Sequence, residues 1–296
     1  MNLSPAFRES LEPVLLSLAD DELVIGHRHS EWTGWAPHIE EDIAFSSIAQ
    51  DEIGHATLLY HLLSEVVERT PDEIALGREH GGYRHARICE RPNGDWAYTL
   101  ARHFIYDVAE RIRLTSIKSS AYRVLAEAAE KLLREERYHE LHADAWIRRL
   151  STGPVEGRHE LSLALSRAIP DAVGLFEPTE SESEALETGV ISEPSETLLQ
   201  RWLDEVIGRL DQAGIAYSLE PEDDDAEFVP TSTGEMIEHP HGGAPRPPSI
   251  TRNDGRWTLS GDFPGMGGRR GSHSPDFDGL WDDLTKTYRE EPTATW

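Results

Sequence analysis

Along the first 150 residues, apolar side chains recur at alternating three- and four-residue steps, the spacing that turns one helix face to a bundle core. Four long helices can be read from it. The first runs from about Glu12 to Trp32, with Pro13 in its first turn, where a missing N–H is harmless, and Thr33-Gly34 as its stop. The second runs from near Pro37 to about Val67. The third follows Asn93-Gly94, from Asp95 to about Ser119, and the fourth spans about Ala121 to Leu150. Their stripes read Leu11, Leu15, Leu18, Glu22, Ile25, His29, Trp32; then Phe45, Ile48, Glu52, His55, Leu59, Leu62, Val66. The third gives Trp96, Leu100, His103, Asp107, Glu110, Leu114, Ile117, and the fourth Leu125, Ala129, Leu132, Glu136, His139, Ala143, Trp146, Leu150. Each stripe is apolar except near its middle.

Those interruptions carry the chemistry. A lone ionised carboxylate in such a stripe costs several kcal/mol unless it is paired. Four helices each place at least one there, and the acids repel one another unless a cation sits among them. Glu52 and His55 form E-x-x-H, as do Glu136 and His139, and residues three apart on a helix share a face. Glu22 stands about as far before Glu52 as Asp107 stands before Glu136, so the first helix pair repeats in the second. One carboxylate from each of two helices, with E-x-x-H from the other two, is the ligand pattern of di-iron and di-manganese bundles. The expected ligands are therefore Glu22, Glu52, His55, Asp107, Glu136 and His139. Iron is the expected metal, with manganese the alternative, because imidazole and carboxylate suit iron and no thiolate is present. Glu110 shares a face with Asp107 and is the alternative on the third helix. A metal-free network of buried ion pairs is the competing reading of the whole set. His29 and His103 read as core histidines or as supports for the ligands. Glu135, Glu140 and His142 read as solvated. The expected fold is all-α: a ferritin-like four-helix bundle with additional C-terminal helices.

Beyond the bundle, helices are expected at about Glu156–Ala168 and Ser195–Ala213, closing a first unit at residue 219. Residues 220–256 read as an acidic and then Pro-rich mobile linker, Glu222-Asp223-Asp224-Asp225 followed by HPHGGAPRPP. His239 and His241 lie there beside prolines, and short His tracts bind metal only in a minority of cases. A tail, 257–296, passes a Gly-rich patch and ends in a helix from about Pro275 to Arg289.

Charge and composition then narrow the setting. There are 28 Lys+Arg against 55 Asp+Glu, a formal net of −27, with Lys118, Lys131 and Lys286 as the only lysines. Such a surface repels nucleic acid and anionic membranes. It fits a haloarchaeal-type cytosol, where molar salt shortens the Debye length to about 3 Å. No apolar run is long enough for a membrane span, and MNLSPAFRESLEPVLL lacks the basic start and apolar core of a signal peptide. The one cysteine, Cys89, excludes an intrachain disulfide and a thiolate cluster, which fits a cytoplasmic location. No dinucleotide, P-loop, flavin or iron–sulfur motif is present, so any electrons come from another protein. Arg102, Arg111 and Arg113 on the third helix read as ordinary surface arginines, not phosphate contacts.

Several stretches resemble a known family in order along nearly the whole chain. They are DDELVIGHRHSEWTGWAPHIEEDIAFSSIAQDEIGH, RPNGDWAYTLARHFIYD, EERYHELHADAW and the final GRRGSHSPDFDGLWDDLTKTYREEPTATW. They resemble the C subunit of the phenylacetyl-CoA epoxidase complex, a multicomponent monooxygenase of the ferritin-like superfamily. The G-R-x-G-x-H motif with a final P-x-x-x-W is the specific part. The resemblance implies a partner role beside an A-type subunit that carries the di-iron centre. It also implies a separate reductase, and phenylacetyl-CoA or a related acyl-CoA as substrate. Many such C subunits have lost part of the ligand set; this chain keeps all six residues, which puts a purely structural role in doubt. Three readings follow: a non-catalytic partner subunit, an oxygenase with its own di-metal centre, and a ferritin-like metal protein without organic substrate.

Overall fold

Ser4 begins the first helix earlier than the apolar stripe suggests. Its hydroxyl accepts from Phe7 N at 3.2 Å, and Pro5 takes the first helical position. Helix α1 therefore spans Pro5–Ser30, and Pro13 lies inside it rather than in its first turn. The computed structural model describes residues 3–219, 228–230, 236–238 and 248–292. His239, His241 and Trp296, with most of the expected linker, lie outside the described residues.

Helix α2 (Ile39–Val67) is followed by a short α3 (Pro71–Leu76), which opens with a capping box between Thr70 and Glu73. A single turn, α4 (Arg87–Glu90), precedes α5 (Trp96–Ile117), whose start is capped by Asp95 accepting from Tyr98 N at 2.8 Å. Then come α6 (Arg123–Ser151), α7 (Val155–Ala172), α8 (Glu182–Glu187) and α9 (Ser195–Ala213), which ends at Gly214 with φ 65°. Strands β1 (Phe228–Pro230) and β2 (Met236–Glu238) pair antiparallel, as do β3 (Ser249–Asn253) and β4 (Arg256–Ser260). Strand β3 lies within the segment expected to be linker as far as Arg256. Helix α10 (Asp276–Glu290) comes last.

The bundle is all-α in its core, with α1 laid along α2 and α5 along α6. Helix α5 is buried on nearly every side, because α7 and α9 cover its back. Helices α2 and α6 keep their outer faces in solvent. Trp35, Ile39 and Ile43 are exposed at the start of α2, and Tyr138 and Leu141 on α6. Trp146 is buried instead, in a small aromatic cluster with Phe45 and Leu100, flanked by Trp32 and Trp96. At Gly26 on α1, a Cβ would stand 3.0 Å from Glu52 Cβ, so glycine lets α1 approach α2 at the level of the expected ligands.

The C-terminal segment returns to the bundle through its glycines. A Cβ on Gly265 would sit 1.6 Å from Asp171 O, and one on Gly268 2.2 Å from His85 O. No residue with a side chain fits either place. Glu90 then receives the segment, accepting from Ser274 N at 2.6 Å and contacting His273 Nδ1 at 2.9 Å and His85 Nε2 at 2.7 Å.

Candidate metal centre

Glu22 on α1, Glu52 and His55 on α2, and Glu136 on α6 bring donor atoms within 4.8 Å of one another, and all four are buried. Glu52 and Glu136 lie between the two histidines. His55 Nδ1 is 3.6 Å from Glu52 Oε2 and 3.3 Å from Glu136 Oε1. His139 Nδ1 is 3.6 Å from Glu52 Oε1 and 3.4 Å from Glu136 Oε1. Glu22 stands on the His55 side, with Oε2 at 3.5 Å from Nδ1. Asp107 is buried on α5, where the charges of Glu136 and His139 reach it, and its Oδ1 is 3.1 Å from His103 Nδ1. The arrangement has two halves sharing Glu52 and Glu136, one ending in Glu22 and the other nearest Asp107.

The donors suit divalent cations. Glu22 Oε2, both carboxylate oxygens of Glu52, Asp107 and Glu136, and Nδ1 of His55 and His139 are buried without a hydrogen-bond partner. Buried polar atoms are nearly always partnered, and here several from α1, α2 and α6 converge. Four carboxylates balance two divalent charges, and carboxylate with imidazole suits iron or manganese.

Without a cation, protons must do that work. Burial, followed by the charge of Glu52, lifts the Glu22 carboxyl well above its ordinary range. Burial and then Glu136 do the same to Asp107. Burial disfavours a charged His55, yet the nearby carboxyls of Glu136, Glu22 and Glu52 outweigh it and raise its pKa. His139 is raised likewise against burial, chiefly by Glu136 and Asp51. Burial pushes Glu136 up, but His139 and His55 hold it down at about 2.

Glu110 is buried beside the set, with Oε2 2.5 Å from Arg113 Nη2. That pairing favours Asp107 over Glu110 as the donor from α5. Burial, followed by the like charge of His103, keeps His29 neutral, and it packs edge-on against His103 and Phe45.

The family described as phenylacetic acid catabolic protein matches residues 3–227. This chain belongs to that family. It is 29% identical to the C subunit of the 1,2-phenylacetyl-CoA epoxidase of Escherichia coli (strain K12) over 199 residues, 67% of this chain and 80% of that protein. It is 22% identical to the A subunit of the same epoxidase over 214 residues, 71% of this chain and 69% of that protein. No helix among the described residues is long and apolar enough to cross a membrane.

In this member of the family, three residues expected to be solvated have specific partners. His55 Nε2 is 2.9 Å from Glu135 Oε2 on α6, and His139 Nε2 is 3.4 Å from Asp51 Oδ2 on α2. The acid before each E-x-x-H glutamate thus crosses to the outer nitrogen of the other helix's histidine, leaving both Nδ1 atoms facing inward. The doublets Asp51-Glu52 and Glu135-Glu136 were the available signal, but heptad spacing puts their first members on the outer face. His142 lies between Glu41 (2.8 Å from Nε2) and His103 (3.2 Å from Nδ1). Glu140 receives Arg111 and Arg209 at 2.9 and 3.0 Å. The three arginines read as surface residues are engaged too. Arg102 is fully buried against Arg91 O and Asn93, Arg111 pairs with Glu140 and Glu205, and Arg113 pairs with Asp21 and Glu110. Tyr106, which no sequence pattern singled out, donates to Glu22 Oε1 at 3.5 Å.

Proposed function

We propose that this chain is one component of a phenylacetyl-CoA epoxidase-type monooxygenase, paired with an A-type homologue, and that it holds two divalent iron ions of its own. Glu22, Glu52, His55, Asp107, Glu136 and His139 are the ligands in this reading. The observation that carries it is the set of buried donor atoms without hydrogen-bond partners, converging from α1, α2 and α6 with Asp107 of α5 buried nearby. When bound, the iron pair supplies activation of dioxygen for transfer of one oxygen atom to an aromatic ring. The protein's part is to place and dry the centre. Glu52 and Glu136 stand between the halves, Glu135 and Asp51 hold the outer histidine nitrogens, and Tyr106 hydrogen-bonds Glu22. Reducing equivalents arrive from a separate reductase, because the sequence has no cofactor-binding motif. The similarity to both the C and the A components of one epoxidase supports a partner of the same architecture, and the exposed Trp35, Ile39 and Ile43 are its candidate contacts.

Metal analysis of the purified chain, alone and co-expressed with its A-type homologue, tests the reading. About two iron or manganese ions per chain after anaerobic reconstitution are expected. A folded, metal-free chain that still assembles would leave a scaffolding role. Turnover of phenylacetyl-CoA by this chain and a reductase alone would make it an independent oxygenase. Bound metal with neither assembly nor turnover would make it a ferritin-like metal protein.

A further inference from the structure

Arg269 is a buried arginine delivered from the far end of the chain. Its Nη1 donates to Asp21 Oδ1 at 2.8 Å, to Ser17 O at 3.1 Å and to Arg84 O at 2.8 Å. Its Nη2 donates to Asp21 Oδ2 at 2.6 Å and to Leu175 O at 3.1 Å. A guanidinium removed from water demands this many acceptors. They come from α1, from the loop before α4 and from the turn after α7, so one side chain ties three parts of the fold together. The close backbone approaches at Gly265 and Gly268 are what bring it there.

Asp21 is the residue before Glu22, and it is shared. Arg113 Nη1 donates to Asp21 Oδ2 at 2.5 Å while its Nη2 takes Glu110 Oε2. The chain of contacts runs Arg269, Asp21, Arg113, Glu110. With Arg269 in place, Asp21 does not need the whole of Arg113, and Arg113 is left to hold Glu110. Without it, Asp21 keeps Arg113 and the Ala86 N–H, at 2.7 Å, but loses its two-pronged cation. Arg113 is then drawn further onto Asp21, its hold on Glu110 weakens, and α1 loses an anchor one residue from Glu22.

We propose that Arg269 is a positioning residue for the metal centre, acting through Asp21 and Arg113 to hold Glu22 in place and Glu110 out of the donor set. This rests on the metal-binding reading above. It makes docking of the C-terminal segment a condition of a correctly built centre whose residues stand 130 to 247 positions earlier in the chain. Residues that support metal ligands from behind typically account for roughly 10–100-fold in affinity, and Arg269 is expected to fall in that range.

The probe is cobalt(II), titrated into the metal-free full-length chain against a competing chelator, with visible absorption reporting the donor set. The expected result for Arg269→Leu is at least a tenfold higher dissociation constant and shifted absorption bands, because Glu110 enters the coordination. Arg269→Lys keeps the charge but not the two-pronged contact with Asp21. It is expected to fold, to shift the bands, and to bind with intermediate affinity. It decides the matter if the leucine variant does not fold. Wild-type affinity and bands in the lysine variant would overturn the proposal, as would a folded leucine variant that is weakened in melting temperature alone. A wild-type chain that binds no cobalt would overturn both this proposal and the metal reading beneath it, whereas binding that is equal in wild type and variants overturns this proposal alone.

Discussion

Replacing Glu135 separates the support of the centre from the stability of the fold. Glu135 Oε2 lies 2.9 Å from His55 Nε2, and its side chain is 38% exposed. As an ion pair near solvent it contributes at most about 1 kcal/mol to folding. As the partner that fixes the outer nitrogen of a metal-binding histidine it contributes more, because such partners are worth roughly 10–100-fold in affinity, or about 1.4–2.8 kcal/mol. Glu135→Ala removes the acceptor altogether and belongs at the upper end. Glu135→Gln keeps a carbonyl oxygen that can still accept from His55 but loses the charge, and belongs at the lower end. Asp51→Asn is expected to do less than either, because the His139–Asp51 contact is longer, at 3.4 Å, and Asp51 is 45% exposed. The assay is cobalt(II) competition at fixed pH, with a thermal melt of each metal-free variant beside it. Wild-type affinity in Glu135→Ala would refute the crossed-acid account. So would a loss of affinity that merely tracks a fall in melting temperature.

Three further outcomes are expected. Glu52→Leu abolishes cobalt binding and lowers the melting temperature of the metal-free protein, because His55 Nδ1 and His139 Nδ1 each lose a carboxylate neighbour at 3.6 Å and breaking one side of a buried network costs about 3–5 kcal/mol; an unchanged or higher melting temperature in a folded variant would count against it. The folded metal-free chain binds more protons than the unfolded chain at Glu22, Asp107, His55 and His139, all with raised pKa values. Above about pH 6.5, histidines with lowered values such as His29 and His103 are neutral in both states and drop out. Stability of the metal-free protein therefore falls as pH rises from about 7 to about 9, while the metal-loaded protein falls less; parallel curves by calorimetry would contradict this. Finally, melts in dilute buffer and in molar potassium chloride should differ, with the higher midpoint in salt, because a formal net charge of −27 repels itself until screened; equal midpoints would remove the halophilic reading.

The four long helices were legible because heptad spacing is a local signal, and their ends came within a few residues except at the first. Ser4 and Pro5 extend α1 by a polar turn that carries no stripe. The burial of polar side chains at Glu22, Glu52, His55, Asp107, Glu136 and His139 was legible for the same reason: an acid in an apolar stripe has no local excuse. What spacing could not reveal is who stands behind them. Asp51 and Glu135 sit on the outer faces of their own helices and matter only once α2 and α6 are side by side. Arg269 lies far from Asp21 in sequence, and nothing in GRRG says which buried acid it will meet. The short helices α3, α4 and α8 were missed because four to six residues leave no periodicity to read.

A protein that only scaffolds has no use for this interior. It needs outer faces for its partner, and its core would hold as well or better with apolar residues in place of the whole network, histidines included. Here the interior instead concentrates Glu22, Glu52, Asp107, Glu110 and Glu136 among two histidines. It also spends Arg113 and Arg269 on the acids just behind them. The arginines pair with Asp21 and Glu110 and with none of the six expected ligands. The inward atoms of those six are left without a hydrogen-bond partner. Protons can quiet that cluster, but only by holding several carboxyls and both histidines far from their ordinary pKa values. Two divalent cations would satisfy the same atoms without that displacement. The Glu52→Leu chain, assembled with its A-type homologue, turns this into a decision. If this chain only scaffolds, the complex forms and turns over as before. If this centre takes part, the complex forms equally well and its metal content and turnover fall together.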